Sequence, residues 1–152
     1  MPYDRYEKKE KAAAYRTRIS PEVIDAIYEN TLHKMIVEKK YRDCKYNAQQ
    51  LARDIQTNTR YISAAISLRF HMSFSELING YRVRDAMSML TDRRCRHMSI
   101  AQIAEACGFS SRQALHAAFY KAQHQTPRAY QQEFFQKIEA GKRKEPKGQS
   151  AT

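Results

Sequence analysis

The sequence has little of what turns, strands and disulfide frameworks require. Of its 152 residues, only four are glycine, four are proline and three are cysteine, and tryptophan is absent. The β-branched alternation typical of strands is also missing, so the chain is predicted to be all-α. Three cysteines without framework spacing, Cys44, Cys95 and Cys107, indicate free thiols in a reducing compartment rather than disulfides.

Segments that direct a protein into or across a membrane are missing as well. No apolar run approaches the roughly 18 residues of a membrane span. The N-terminus has no apolar core of the kind that signal peptides contain. We therefore expect a cytoplasmic protein without a membrane partner.

The residue patterns of enzymes and metal sites are not found either. The sequence contains no glycine-rich phosphate loop, nucleophile motif or convergent carboxylate pair, so we expect a protein that is not an enzyme. Cys95, His97, Cys107 and His116 stand at none of the usual spacings of metal ligands. No metal and no cofactor are expected.

What the sequence does have is an excess of positive charge. Lysine and arginine number 27 against 16 acidic residues, which gives a net charge of +11. Both ends of the chain are basic, but the 121 residues between them still carry +5. A basic body fits a polyanionic partner, although charge alone does not separate DNA from RNA or an acidic membrane surface.

Capping signals divide the chain into helices. Ser73 with Glu76, and Ser99 with Gln102, have the spacing of capping boxes. Gly108 can adopt the left-handed backbone with which helices often end. Helix starts are predicted at Ser20-Pro21 (for a helix to about Lys40), Asn47, Thr57 or Asn58, Ser73, Ser99, Ser110 or Ser111, and Thr126-Pro127.

Two stretches of the chain repeat at an offset of 53 residues. Matched pairs are Ile62 and Leu115, Ile66 and Phe119, His71 and His124, and Phe74 and Pro127. Each copy is a short helix, a tight turn and a second helix, which is the helix-turn-helix pattern. The predicted fold is two helix-turn-helix lobes joined by a long central helix. Its parts are a basic tail or extra helix (1–20), a first lobe (21–72), a linker helix (73–91), a second lobe (92–138) and a basic disordered tail (139–152).

In such a unit the second helix lies in the major groove of DNA and must be apolar on one side only. The predicted inward residues are Ile62, Ala65, Ile66 and Phe70 in the first copy, and Leu115, Ala118, Phe119 and Ala122 in the second. Ala64, Ser67, Ala117 and Tyr120 are expected to face outward with the base-reading residues. The predicted base-reading residues are Thr59, Arg60, Ser63, Arg112, Gln113 and His116. Arginine matches guanine and glutamine matches adenine, so Arg60, Arg112 and Gln113 are the strongest candidates.

Phosphate contacts are expected at capped helix starts and at nearby cationic side chains. The free N–H groups of a helix start and the positive end of its dipole attract anions. The predicted phosphate-binding residues are Asn47, Ser67, Arg69, Ser73, Ser99, Ser111, Lys121, Thr126 and Arg128.

From about Pro21 to Phe135 the chain resembles the DNA-binding domain of the AraC/XylS family of transcription regulators. The second copy is similar to the family signature at Ile103-Ala104, Gly108-Phe109, Phe119, Lys121, Thr126-Pro127 and Tyr130. The first copy matches at Leu51-Ala52, Tyr61, Ser63, Ser73-Phe74, Ile78-Asn79, Arg82, Ala86 and Leu90. The resemblance implies about seven helices, promoter-specific binding to double-stranded DNA in the bacterial nucleoid, and activation of transcription through RNA polymerase.

The resemblance also shows departures from the family. Most members carry a ligand-binding or dimerisation domain, for which 152 residues leave no room. We therefore expect a stand-alone regulator or a fragment of a longer one, which binds DNA as a monomer and has no obvious small-molecule effector domain. His71 and His124 replace the glycine usual after each second helix, which predicts a different exit. Ala64 and Ala117 replace residues that are often basic, so each helix is expected to read fewer bases.

Two other functions fit the same composition. A helical adaptor would grip a protein with the surface around Leu68, Met72 and Tyr120. A general nucleic-acid-coating protein would use the basic tails and would not depend on the sequence of its duplex.

Overall fold

The computed structural model describes residues 18–144. Seven α-helices have both ends within it, and no strand occurs there. The helices are α1 (Pro21–Leu32), α2 (Ala48–Asp54), α3 (Thr59–Phe70), α4 (Phe74–Leu90), α5 (Ile100–Cys107), α6 (Arg112–Gln123) and α7 (Pro127–Lys144). This confirms the predicted all-α fold.

The described residues divide into two compact units. The first unit holds residues 18–41 and 45–78, and the second holds residues 42–44 and 79–144. Helix α4 crosses the division, because its first turn belongs to the first unit and its remaining turns belong to the second. The predicted linker segment 73–91 thus corresponds to a continuous helix that contributes residues to both cores.

Helix α1 begins as predicted but ends earlier. Ser20 caps it, because its Oγ accepts a hydrogen bond from Val23 N at 3.3 Å. Ile24 and Ile27 are buried, whereas Val23 is 38% exposed. The α-helix ends at Leu32 instead of continuing to about Lys40.

A single turn of wider π-helix, His33–Val37, follows α1. It is closed by a hydrogen bond from Glu38 N to the carbonyl oxygen of His33 at 3.1 Å. The Glu38 carboxylate also accepts from Lys34 Nζ at 2.8 Å, which holds the turn shut. Lys39 then leaves the helix with a φ of 51°, and a left-handed residue cannot continue a right-handed helix.

The core of the first unit forms where α1 and α2 both pack against α3. Its fully buried side chains are Thr31, Met35, Leu51, Ile62 and Ile66. At the edge of this core the rings of Tyr28 and Phe70 lie 5.1 Å apart, and Arg69 forms an ion pair with Asp25. These contacts fix α3 on its two neighbours.

The second unit has its own apolar core, built from α4, α5 and α6. Its buried residues are Val83, Ala86, Leu90, Ile103, Ala104, Cys107, Phe109, Leu115 and Phe119. Helix α7 adds Tyr130, whose ring meets that of Phe119 edge to face at 5.4 Å. Gln131 ties α7 to the end of α4, because its Nε2 donates to the carbonyl oxygen of Leu90 at 3.2 Å.

The short segment 42–44 is held to the second unit by two polar contacts. Arg42 forms an ion pair with Asp85 at 2.8 Å, and a second hydrogen bond from Arg42 Nη2 at 3.1 Å makes the pair bidentate. Arg82 is buried, and its Nη2 donates to the carbonyl oxygen of Asp43 at 2.9 Å. These contacts explain why three residues far from the second unit in sequence belong to it.

Helix α7 is longer than predicted. It continues to Lys144, so the prediction of a disordered tail from residue 139 was wrong over residues 139–144. One glycine, Gly141, interrupts an otherwise helix-favouring run, and a single interior glycine costs only about 1 kcal/mol relative to alanine. The remainder of the predicted tail, and the predicted N-terminal tail before Arg18, lie outside the described residues.

Both second helices end in a left-handed histidine. His71 has a φ of 57° and His124 a φ of 56°, and each donates its N–H to the carbonyl oxygen four residues earlier, on Ser67 and Tyr120. The prediction that these exits would turn differently without glycine was therefore wrong. Histidine takes the glycine conformation here, although an L-residue is strained in it.

We expect His124→Gly to raise the free energy of unfolding by about 1 kcal/mol, because glycine adopts a positive φ without the clash of a Cβ atom. Urea unfolding monitored by circular dichroism would measure the gain. His116→Gly is the matched control, since the same substitution inside the helix should destabilise by about 1 kcal/mol. A loss of stability in His124→Gly would contradict the left-handed assignment.

Candidate nucleic-acid interface

The turn between the two helices is built in the same way in each copy. In the first, Gln56 has a φ of 57°, and Thr57 N donates to the carbonyl oxygen of Ala52 at 2.8 Å. In the second, Gly108 has a φ of 95°, and Phe109 N donates to the carbonyl oxygen of Ala104 at 2.9 Å. Each of these is the longer of the two hydrogen bonds that define a Schellman motif. The first helix of each copy, α2 or α5, therefore ends in the same way before its turn.

Helix α3, the first recognition helix, starts at a capped turn and exposes polar side chains on one side. Asn58 Oδ1 accepts a hydrogen bond from Tyr61 N at 2.9 Å. Thr59, Arg60 and Ser63 are exposed, and Ile62 and Ile66 are fully buried beneath them. The three predicted base-reading residues of this copy therefore lie on the solvent side of α3.

Ala64 does not lie on that solvent side. It is 4% exposed, so its expected outward position was wrong. The physical reason is that α1 and α2 both pack against α3, which makes the buried arc of α3 wider than a single stripe. Ser67, also expected to face outward, is half-buried. The outward surface of the first recognition helix is narrower than its sequence indicates.

Helix α6, the second recognition helix, is better separated into two sides. Ser111 Oγ caps it by accepting from Ala114 N at 3.0 Å. Leu115 and Phe119 are completely buried. The predicted base-reading residues Arg112, Gln113 and His116 are all exposed, as is Ala117.

For two further residues of α6, the expectation from the sequence was wrong or incomplete. Ala122 is exposed rather than inward, because the buried stripe continues from Phe119 through the half-buried Gln123. Tyr120 is 53% exposed, and its ring is parallel to that of His116, with centroids 6.4 Å apart and planes within 5°. The i,i+4 spacing of these two residues was the available signal for this pair.

The capping residues predicted to bind phosphate do cap helices. Asn47, Ser73 and Thr126 accept hydrogen bonds from Gln50 N, Glu76 N and Ala129 N at 3.0–3.2 Å. Ser99 and Gln102 form a complete capping box, with bonds of 3.1 and 2.8 Å. Each cap occupies one N–H of its first turn and leaves others that point out of the helix end.

The cationic candidates differ in their surroundings. Arg69 forms an ion pair with Asp25 within the first unit, and both side chains remain partly exposed. Lys121 and Arg128 are exposed, and neither forms an ion pair with a described residue. Lys121 and Arg128 are therefore available to an external anion.

Cys107, which directly precedes the turn residue Gly108, is fully buried. Burial raises the pKa of the Cys107 thiol to about 12, so the thiol stays protonated. Its sulfur lies 3.6 Å from the sulfur of Met89. Within residues 18–144, no group of three or more metal-ligating side chains is close enough to hold an ion. In that same part of the chain, no helix combines the length and apolar character needed to cross a membrane.

Comparison with known families and structures agrees with this geometry. The family described as "Helix-turn-helix domain" matches residues 51–133, which is more than half of the chain. No curated protein matches the sequence significantly.

Several solved structures share the fold. The C-terminal domain of AraT, a response regulator from Geobacillus stearothermophilus, is 23% identical with a TM-score of 0.60, over 76% of this chain and 88% of that one. The DNA-binding domain of the global transcriptional factor AdpA, solved with a target DNA, is 18% identical with a TM-score of 0.64, over 80% and 97%. An AraC-type transcriptional regulator from Chromobacterium violaceum is 19% identical with a TM-score of 0.59, over 72% and 96%.

Proposed function

Because the chain belongs to the AraC-type helix-turn-helix family of DNA-binding transcription regulators, we propose that its two recognition helices enter two successive major grooves of one duplex site. The observation that carries this proposal is the repeated design of α3 and α6. Both helices are capped, both are anchored by fully buried apolar residues, and both expose hydrogen-bonding side chains at the start of the helix. That combination suits insertion of a helix start between two phosphate backbones.

The two helices are proposed to contribute unequally to base recognition. Arg112 and Gln113 occupy the first exposed turn of α6, where arginine suits guanine and glutamine suits adenine. Helix α3 offers Arg60 with two short hydroxyl side chains, Thr59 and Ser63. We therefore assign the larger share of sequence discrimination to the second unit and a supporting share to the first.

The remaining predicted contacts are proposed to position the protein on the sugar-phosphate backbone. Caps and lysines bind phosphate without regard to base sequence. The proposed set is Asn47, Ser67, Arg69, Ser73, Ser99, Ser111, Lys121, Thr126 and Arg128.

Finer aspects of the function extend from the same family. We propose that the protein binds promoter DNA as a monomer within the cytoplasmic nucleoid, that it contacts RNA polymerase when it activates transcription, and that binding rather than catalysis is its activity. A duplicated recognition unit supports monomeric binding, because one chain supplies both of the half-site contacts for which single-unit proteins need a dimer.

Competition binding tests the class of ligand. Fluorescence anisotropy of a labelled duplex is measured while unlabelled duplex, single-stranded DNA or RNA is added, at several salt concentrations. We expect duplex DNA to compete best and affinity to fall steeply with salt. Stronger competition by single-stranded RNA would contradict the proposal, and the absence of salt-dependent duplex binding would favour a protein-binding adaptor.

Replacing Lys121 with alanine should weaken binding to all duplexes alike. One lost phosphate contact lowers the slope of log K against log salt by about 0.9. Lys137→Ala is the control, since Lys137 is also exposed but pairs with Glu133 on α7 at 2.8 Å. If Lys121→Ala weakened only certain sequences, its assignment to phosphate would be wrong.

A further inference from the structure

A cleft in the second unit is separate from both recognition helices. It has a volume of about 320 Å³ and is formed by one side of α7 together with Arg96, which lies before α5. Three glutamine amides line it, along with Arg96, Arg128, Phe135 and Glu139. A volume near 300 Å³ is at the small end of the range for ligand pockets.

The two arginines of this cleft are uncompensated. Arg96 and Arg128 are exposed, and neither pairs with an acidic residue within residues 18–144. Two neighbouring arginines of the same unit behave differently, because Arg42 pairs with Asp85 and Arg94 pairs with Asp92. The cleft therefore contains two positive charges that form no ion pair with any acidic residue of the described range.

Arg96 is also held in place. Its guanidinium carbon lies 4.5 Å from the ring centroid of Phe135, a residue that is only 7% exposed and thus fixed in the unit. A guanidinium that stacks by its face keeps its N–H groups at the edge available for hydrogen bonds. The ring orders the arginine without using its donors.

The floor of the cleft is fixed too. Gln131 is 7% exposed, and its Nε2 is bound to the carbonyl oxygen of Leu90. The acidic residue, Glu139, follows Phe135 by one helical turn, and Arg128 precedes Phe135 by two turns, so Arg128 and Glu139 are roughly 16 Å apart along the axis of α7. Arg128 therefore lies near the N-terminal end of α7, where the positive end of the helix dipole also attracts an anion.

We propose that this cleft is an oxyanion site, in which Arg96 and Arg128 hold a phosphate or carboxylate group. Guanidinium groups present pairs of N–H donors that match two oxygen atoms of such a group. The anion has two candidate sources, a phosphate of the DNA backbone or a small free oxyanion. The first source rests on the proposed function, whereas the second does not.

One experiment measures the DNA source. Duplex affinity is followed against salt for the full chain and for Arg96→Gln and Arg128→Gln. If one backbone phosphate occupies the cleft, loss of that contact lowers the magnitude of the slope of log K on log salt by about 0.9, and each substitution should remove part or all of that amount. Arg94→Gln is the matched control, because it removes the same charge two residues away, from a side chain paired with Asp92 and outside the cleft.

A second experiment measures the free source. Inorganic phosphate, and separately succinate, is titrated into the full chain without DNA while the side-chain amide signals of Gln131 and Gln136 are followed by NMR. A free oxyanion should give saturable shifts that Arg96→Gln abolishes. Glu139→Gln should tighten the apparent Kd several-fold, because it removes the negative charge in the cleft. A gain in affinity cannot come from unfolding.

The outcomes separate cleanly. A lower salt slope for both arginine variants, with Arg94→Gln unchanged, supports a DNA phosphate in the cleft. Unchanged slopes with saturable amide shifts support a free oxyanion. If neither occurs while the unmodified chain still binds duplex, the oxyanion site and the phosphate role of Arg128 are overturned, while the proposed duplex recognition by α3 and α6 stands. If the unmodified chain does not bind duplex, the proposed function fails and the amide titration alone decides the site.

Discussion

Replacing Phe119 with alanine is expected to lower the free energy of unfolding by about 3–5 kcal/mol, the range typical of a buried aromatic truncated to alanine. Phe119 has no exposed surface and lies among the core residues of α4, α5 and α6. It also supports the ring of Tyr130 on α7. The substitution removes the buried side chain that anchors the second recognition helix in the core, so duplex binding should be lost as well.

Chemical unfolding in urea, followed by circular dichroism, would measure this effect. Tyr120→Ala is the matched control, because the neighbouring ring is exposed and its removal should change the unfolding free energy by no more than about 0.5 kcal/mol. Equal destabilisation by the two substitutions would show that α6 does not bury the side assigned here.

Arg112→Ala should weaken binding by about 1–3 kcal/mol, and only toward sites that carry the preferred base at one position. Arg112 is exposed in the first turn of α6 and forms no ion pair within the described range, so its guanidinium is available to a base edge. The measurement is affinity for every single-base variant of one binding site, with and without the substitution.

Two further variants sharpen that result. Arg112→Lys keeps the charge but loses the paired donors, so it should not restore the discrimination. Lys121→Ala should shift all variant sites by the same factor. If Arg112→Ala also lowered affinity uniformly across the variant sites, Arg112 would be a phosphate contact rather than a base reader.

Local signals in the sequence were sufficient for the helix starts. Ser99 with Gln102 forms the capping box that its spacing predicts, and Asn58, one of the two predicted starts, caps α3. Such features depend on residues within one turn of each other, and the sequence contains all the participants. The two recognition helices and their exposed starts are therefore predictable from the sequence alone.

Backbone conformation at residues other than glycine could not be predicted in this way. Gln56, His71 and His124 all adopt positive φ. In the sequence, only Gly108 indicated such a conformation. Surrounding hydrogen bonds impose the conformation, as in the closure from Thr57 to Ala52. The π-turn after α1 could not be predicted for a similar reason. It involves a side-chain contact between Lys34 and Glu38 together with the left-handed exit at Lys39.

Burial at the edge of a stripe was the other source of error. Ala64 and Ala122 are small, and each was placed by helical period alone. Ala64 is buried because two helices cover α3, whereas Ala122 is exposed because the buried side of α6 continues through Gln123. Which edge of a helix is covered depends on its neighbours, and the period of the sequence carries no information about them.

Selection of bound duplexes from a random pool tests the central claim most directly. We expect one enriched motif with two separated parts. The centres of the two parts should lie about 10 base pairs apart, because successive major grooves face the same side of DNA once per turn. Arg112→Ala should relax a position in one part, and Arg60→Ala a position in the other. Enrichment of a single short part, or of no sequence at all, would contradict recognition by two helices in successive grooves.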